Sequence, residues 1–222
     1  MKIDARSIVA AACLLPAAIC IAAAQDAEPQ KPKSYLERTF SLSGQLRERW
    51  ESTDGANFSI TRATSYVESR IRLGLAYKPA SWLRVFSEAQ DARVMFYRTK
   101  PSGAVDDPFD LRQAYVEMGA LEGTGVKAKV GRQELFIGST RLIVTGDWGN
   151  VTRTFDVARG TVTTSALTLD LIGGSAVLPD PNRMDRHRPG EHFYVAYSTF
   201  KKLIPGASVE PYLMAKTQFS VK

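Results

Sequence analysis

Hydrophobic and polar residues alternate with a period of two along most of this chain, in runs of about ten residues. From Thr39 to Trp50, the residues Phe40, Leu42, Gly44, Leu46 and Trp50 share one phase, while Ser41, Ser43, Gln45, Arg47 and Arg49 share the other. From Tyr66 to Tyr77, Val67, Ile71, Leu73, Leu75 and Tyr77 oppose Glu68, Arg70, Arg72, Gly74 and Ala76. A third run sets Leu83, Val85, Ser87 and Ala89 against Arg84, Phe86, Glu88 and Gln90. A strand turns successive side chains to opposite faces, so each run has one apolar and one charged face. The same pattern predicts strands at Leu111–Met118, Val126–Gln133, Arg153–Val162, Ala166–Val177, Phe193–Thr199 and Ala207–Gln218, which makes about nine.

The connections alternate as well. Long polar stretches at Asp54–Thr64, Thr99–Asp110, Gly138–Thr152 and Pro179–Glu191 follow the odd strands. Short turns at Lys78–Ser81, Gly119–Gly125, Thr163–Ser165 and Lys201–Gly206 follow the even ones. Short turns on one side, long loops on the other and strands of this length are the pattern of an antiparallel outer-membrane β-barrel. With a periplasmic N-terminus, the short turns are periplasmic and the long loops face outward. Phe40, Trp50, Tyr77 and Trp82 lie near strand ends, where interfacial aromatic girdles sit.

The first residues set the compartment. Lys2 and Arg6 precede an apolar run from Ile8 to Ile21, and Ala22-Ala23-Ala24 forms a small-residue cleavage site, so residues 1–24 read as a signal peptide. Residues 25–38 form a polar periplasmic lead-in, and residues 39–222 the barrel. Cys13 and Cys20 both fall within the signal, which leaves no cysteine for disulfides or thiolate metal ligands in the mature part. The formal charge of +6 falls to +5 when Lys2, Asp4 and Arg6 are removed. No later apolar run reaches membrane-helix length.

Basic residues alternate along strands and do not cluster, which excludes a nucleic-acid module. There is no Gly-rich phosphate loop and no Gly-x-Ser-x-Gly elbow, so no cofactor is expected. Arg47, Arg49, Arg70, Arg72, Arg84, Lys127 and Lys129 occupy the polar phase together with Glu68, Glu88 and Gln90. Facing lipid, each cation costs about 2–4 kcal/mol near the midplane, so the polar phase is expected to line the lumen and to contact solute. Arginine's planar fork can grip a carboxylate with two parallel hydrogen bonds. Cross-strand pairing of Arg70, Arg72 and Glu68 to hold a wet wall is the alternative role of those three.

Counting from a periplasmic N-terminus, a ninth strand ends outside, and Phe219-Ser220-Val221-Lys222 lacks the terminal aromatic that barrel-assembly machinery recognises. An incomplete larger barrel is therefore expected. Gly131-Arg132-Gln133-Glu134-Leu135, Arg141-Leu142-Ile143, Asp147-Trp148 and Arg153-Thr154-Phe155-Asp156 with Arg159 resemble the most recognisable segment of the alginate-export outer-membrane proteins. Asp110-Leu111-Arg112-Gln113-Ala114-Tyr115 is similar to that family too. The resemblance runs over most of the mature chain. It implies a barrel about twice this length, set in outer-membrane lipid, with a charged lumen that passes an anionic polysaccharide or another small anionic or polar solute.

Within the motif, Arg132 and Glu134 fall on the phase of Val126, Ala128 and Val130 unless a bulge intervenes. Arg132, Glu134, Arg141, Asp147 and Arg153 are expected to fold the long loop inward through salt bridges, with pore constriction as the sharper possibility. Two other classes remain open from sequence. One is a secreted soluble β-barrel that binds a ligand. The other is a membrane-barrel hydrolase using His187 or His192 with Asp180 or Asp185.

Overall fold

The computed structural model describes residues 34–53, 64–98 and 100–219. Its elements are the short helix α1 Tyr35–Thr39 and the strands β1 Phe40–Thr53, β2 Thr64–Ala80, β3 Leu83–Met95, β4 Asp107–Gly119, β5 Gly125–Gln133, β6 Phe155–Thr163, β7 Leu167–Leu178, β8 Arg186–His187, β9 Glu191–Ile204, β10 Ala207–Val209 and β11 Tyr212–Gln218. The strands form one antiparallel sheet in the order β1-β2-β3-β4-β5-β6-β7-β9-β10, with β8 beside β7 and β11 beside β9. The sheet is open, since β1 pairs with β2 alone among the described strands.

Long connections follow β1, β3, β5 and β7, and short turns follow β2, β4, β6 and β9, as the sequence pattern predicts. The proposed signal segment, most of the lead-in, the stretch 54–63 and Thr99 lie outside the described residues. At the end of the lead-in the chain forms α1, because Ser34 and Glu37 complete a capping box in which each side chain bonds the other's backbone N–H. The expected ninth strand is interrupted at Glu210-Pro211. Proline has no N–H to give a ladder, so β10 and β11 pair separately with the two halves of β9.

Register explains why the alternation runs in step from strand to strand. Leu42 lies opposite Leu75, Gly44 opposite Leu73 and Leu46 opposite Ile71, so apolar residues are aligned across the β1–β2 pair. Gln45 meets Arg72, and Arg47 meets Arg70, on the other phase. β4 departs from simple alternation through two irregularities opposite β3, one between Glu88 and Ala89 and one between Gln90 and Ala92. Each gives β4 an extra residue, and in consequence Asp107, Asp110, Arg112 and Gln113 are all buried.

The burial of the two faces is inverted relative to a water-soluble protein. Leu42 is 80% exposed and Leu73 59% exposed, and Leu46, Ile71, Leu75, Val85, Val126, Val130 and Leu213 are exposed as well. Glu68 is 2% and Arg70 0% exposed, with Arg72, Gln90, Glu117 and Asp170 likewise buried. Apolar side chains turned outward and charge turned inward suit a sheet whose outer solvent is hydrocarbon. A soluble barrel would cover the apolar phase instead, so that alternative is set aside. At the short-turn end, Phe40 and Tyr77 stack with ring centroids 4.7 Å apart, and Trp82 is exposed beside the turn.

Candidate functional site

The connection between β5 and β6, residues 134–154, folds across the covered face of the sheet. Its first half is an apolar anchor. Leu135 and Ile137 are buried with Phe155 and Val157 of β6, Ile172 of β7, and Val195 and Tyr197 of β9, and Leu142 and Ile143 pack against that cluster. Gly131, which opens the motif inside β5 between Tyr115 and Val157, has φ +124°, and a Cβ there would come 2.2 Å from the Ala114 carbonyl oxygen. Only glycine fits such an approach.

The second half of the loop is polar and reaches the other end of the strand order. Arg47 of β1 donates to the carbonyls of Asp147 at 2.8 Å, Trp148 at 3.3 Å and Gly149 at 2.9 Å. Arg49 donates to the Trp148 carbonyl and to Glu68, and stacks 4.5 Å from the Trp148 ring. Arg70 donates to the Gly149 carbonyl at 3.1 Å and to Gln45 at 2.9 Å. The Asp147 carboxylate lies 3.1 Å from both Arg70 and Arg72. Asn150, fully buried, donates to the carbonyls of Ser69, Arg93 and Val105. Thr152 accepts from Arg72 at 2.9 Å and from Arg112 at 2.8 Å. One loop thus touches strands from both ends of the sheet.

These contacts fix the electrostatics of the loop tip. Burial pushes the Asp147 carboxyl up, but Arg70, Arg72 and Arg47 outweigh it and hold the group below the usual carboxylate range. Toward the short-turn end, Glu117 faces Lys127 at 3.4 Å and Arg84 at 3.8 Å, and Lys129 lies 3.7 Å over the Tyr115 ring. A cavity of about 460 Å³ opens there, lined by Arg38, Lys78, Arg84, Lys127, Glu117 and Glu122 among others.

Of the candidates on the polar phase, Arg47, Arg49, Glu68, Arg70, Arg72, Arg84, Glu88, Gln90, Lys127 and Lys129 all lie on the covered face, fully or partly buried. Most are engaged with protein partners: Gln90 accepts from Arg72 at 2.7 Å, and Glu88 from Arg112 and Gln113. The motif residues are not brought together as one cluster. Arg132 remains on the phase of Val130 and grips Asp156 of β6 at 2.9 and 3.2 Å. Glu134, beyond the end of β5, pairs with Arg112. Gln133 is buried and donates to backbone carbonyls, including that of Val157 at 3.3 Å. Arg159 pairs with Asp170 at 2.8 Å on the covered face. Arg141 and Arg153 are exposed and meet the loop through backbone N–H groups alone, bonding Gly138 and Thr145. The expected salt-bridge cluster is therefore corrected: of its five members, Asp147 and Glu134 tie the loop to arginines, and those arginines come from β2 and β4.

Asn150 and Thr152 were not singled out from sequence, and Arg112 and Gln45, named there only in the family resemblance and the polar phase, were not expected to join the site. Arg112 sits at a bulge, which a count of two hides. The histidine reading also changes. His192 Nδ1 lies 3.0 Å from Ser175 Oγ, but that hydroxyl bonds the Glu191 carbonyl at 2.5 Å. Asp180 engages Arg183, and Asp185 accepts from the Asp180 N–H at 2.7 Å, so neither carboxylate supports a histidine among the described residues.

The apolar anchor makes a prediction. Leu135 is fully buried, and Leu135→Ala should destabilise the fold by about 2–5 kcal/mol. Denaturant titration in detergent micelles would measure it, with Trp148 fluorescence reporting release of the loop.

Residues 38–221 match the family model described as alginate export. No curated protein matches the chain.

Proposed function

The chain belongs to the alginate-export family of bacterial outer-membrane transport proteins, and from that membership we propose that its charged face lines a passive channel for an anionic polysaccharide or another anionic or polar solute. The observation that carries this reading is the inversion of the faces: arginines and carboxylates are covered while leucines and valines are exposed. Outer-membrane lipid covers the apolar phase, where the exposed side chains need a hydrocarbon solvent. The cavity at the short-turn end carries both signs, with Arg38, Lys78, Arg84 and Lys127 set among Glu37, Glu117 and Glu122, which suits a polar mouth that holds anions weakly.

Conduction requires sites that hold a solute weakly and repeatedly. The arginine forks of Arg47, Arg49, Arg70 and Arg72 suit carboxylates, and Glu68, which pairs with Arg49, competes for them, as Glu88 does for Arg112 and Glu117 for Arg84, which prevents tight retention. On this reading residues 1–24 are removed near Ala24, residues 25–38 lead into the barrel from the periplasm, and the barrel-assembly machinery inserts the strands. Passage uses no cofactor and no covalent chemistry.

Charge reversal at the centre of the face tests the proposal. Two unit charges 4 Å apart interact by about 1 kcal/mol in water, so Arg70→Glu with Arg72→Glu should shift the anion-to-cation permeability ratio by about tenfold or more. Reversal potentials across a planar bilayer under a salt gradient give that ratio independently of pore width. An unchanged ratio in a conducting double variant would remove these arginines from the solute path.

A further inference from the structure

Away from the loop tip, Asp107 and Asp110 of β4 and Asp185 of the β7–β9 connection bring carboxylate oxygens within 4.8 Å of one another. Their charges are poorly compensated. Asp110 accepts from the Asp185 backbone N–H at 3.2 Å and lies 3.5 Å from Arg132 Nη1. That arginine is committed elsewhere, since its Nε and Nη2 hold Asp156. Asp185 receives the Asp180 N–H at 2.7 Å. Asp107 is different: it is 2% exposed and has neither a hydrogen bond nor an ion pair among the described residues, although its carboxylate is aimed at the other two.

A buried carboxylate without a donor loses its hydration and gains nothing in return. Two irregularities in β4 are needed to bring Asp107 and Asp110 to the same covered side, so the strand itself sets two of the three carboxylates, and Asp185 reaches them from the β7–β9 connection. We propose that Asp107, Asp110 and Asp185 bind one hard divalent cation, with Ca²⁺ the best fit. The donor set is all oxygen, which suits a hard ion. Ca²⁺ takes six to eight oxygens in flexible geometry, whereas Mg²⁺ demands a near-ideal octahedron, and carboxylates gathered from a strand and a connection suit the more tolerant ion. The bound ion would supply the missing countercharge to Asp107. It would also fasten the β7–β9 connection to the start of β4, holding a loop that reaches Arg132 through the Asp185 carbonyl at 3.1 Å.

The test uses the full chain folded in detergent micelles, freed of divalent ions by chelator and titrated with Ca²⁺ by calorimetry. One saturable site with a Kd of about 10⁻⁴–10⁻³ M is expected, with Mg²⁺ about tenfold weaker. Asp107→Asn and Asp185→Asn should each weaken Ca²⁺ binding by about tenfold or more, because each removes a charged ligand. Both variants should keep heat-modifiable gel migration, since each also relieves carboxylate repulsion. Asp180→Asn, in the same connection but paired with Arg183, should bind as the parent chain does. Absence of a saturable site in the parent chain overturns the proposal, as does equal Ca²⁺ affinity in folded Asp107→Asn and Asp185→Asn. Parent-chain stability that ignores Ca²⁺ and falls as pH rises would mean that the carboxylates share a proton instead.

Discussion

Replacing Asp147 and Asn150 together by alanine should raise single-channel conductance several-fold and increase anion preference at the same time. Asp147 is the carboxylate set between Arg70 and Arg72, and Asn150 holds three strand and loop carbonyls with one amide. The Asp147 side chain is 62% exposed, so water screens its pairs with Arg70 and Arg72, and losing them costs on the order of 1 kcal/mol. Arg70 is fully buried, so the folded chain can recover that cost only by moving the loop tip aside and admitting water or an anion to the guanidinium. The Asp147 carboxylate and the carbonyls of Asp147, Trp148 and Gly149 occupy the arginine forks, and on the proposed reading they stand where a solute's carboxylates and hydroxyls would bind. Removing the competitor frees both space and charge.

The direction of the selectivity change separates this effect from that of Arg70→Glu with Arg72→Glu, which also loosens the loop but lowers anion preference. Proton linkage supplies a second readout. The Asp147 carboxyl is held below its ordinary value, so its contribution is fully present above about pH 4 and is lost as pH falls through the lowered folded value. Parent-chain conductance should therefore be flat from pH 8 to pH 5 and should rise only in stronger acid, whereas the Asp147→Ala/Asn150→Ala variant should lack that rise. A double variant with mobile Trp148 fluorescence and unchanged conductance would show that the loop lies on the wall without narrowing the path.

Alternation made the strand order legible because period two, once set in β1, propagates through register: Leu42 opposite Leu75 and Leu75 opposite Ser87 keep the phases aligned without further information. The same logic located the covered charges on β1, β2, β3 and β5. It failed where the backbone departs from the ladder. Arg112 counts onto the phase of Ala114 and Val116, yet the extra residue opposite Glu88 turns it inward to meet Thr152, Glu88 and Glu134. The path of residues 134–154 was equally hidden. Leu135, Ile137, Leu142 and Ile143 carry no strand period, and their burial depends on Val195 and Tyr197, which are about sixty residues away in the chain and meet them only once β9 is in place. Asp185 joins Asp107 and Asp110 for the same reason: the juxtaposition is made by a loop crossing and leaves no local spacing to read.

Leu73→Arg should prevent stable assembly, whereas Ser43→Arg, on the adjacent strand and the opposite phase, should be tolerated. Leu73 lies near the middle of the 17-residue β2, between Gly44 and Ala89, and points away from the covered face. With hydrocarbon outside, a guanidinium at that depth costs about 2–4 kcal/mol, a large share of the 5–15 kcal/mol that typically separates folded from unfolded protein. Leu42→Arg on the same phase adds a second charge in the same belt, and the pair should abolish outer-membrane yield and heat-modifiable migration. Ser43 shares its phase with Gln45 and Arg47, where a further cation meets water and carboxylates, so Ser43→Arg should change yield little. The contrast between neighbours depends on which face meets lipid and on nothing about the solute. In a soluble sheet with Leu73 exposed, arginine would improve solubility, and recovery of folded Leu73→Arg in the aqueous fraction would overturn the membrane reading along with every assignment of the covered face to a lumen.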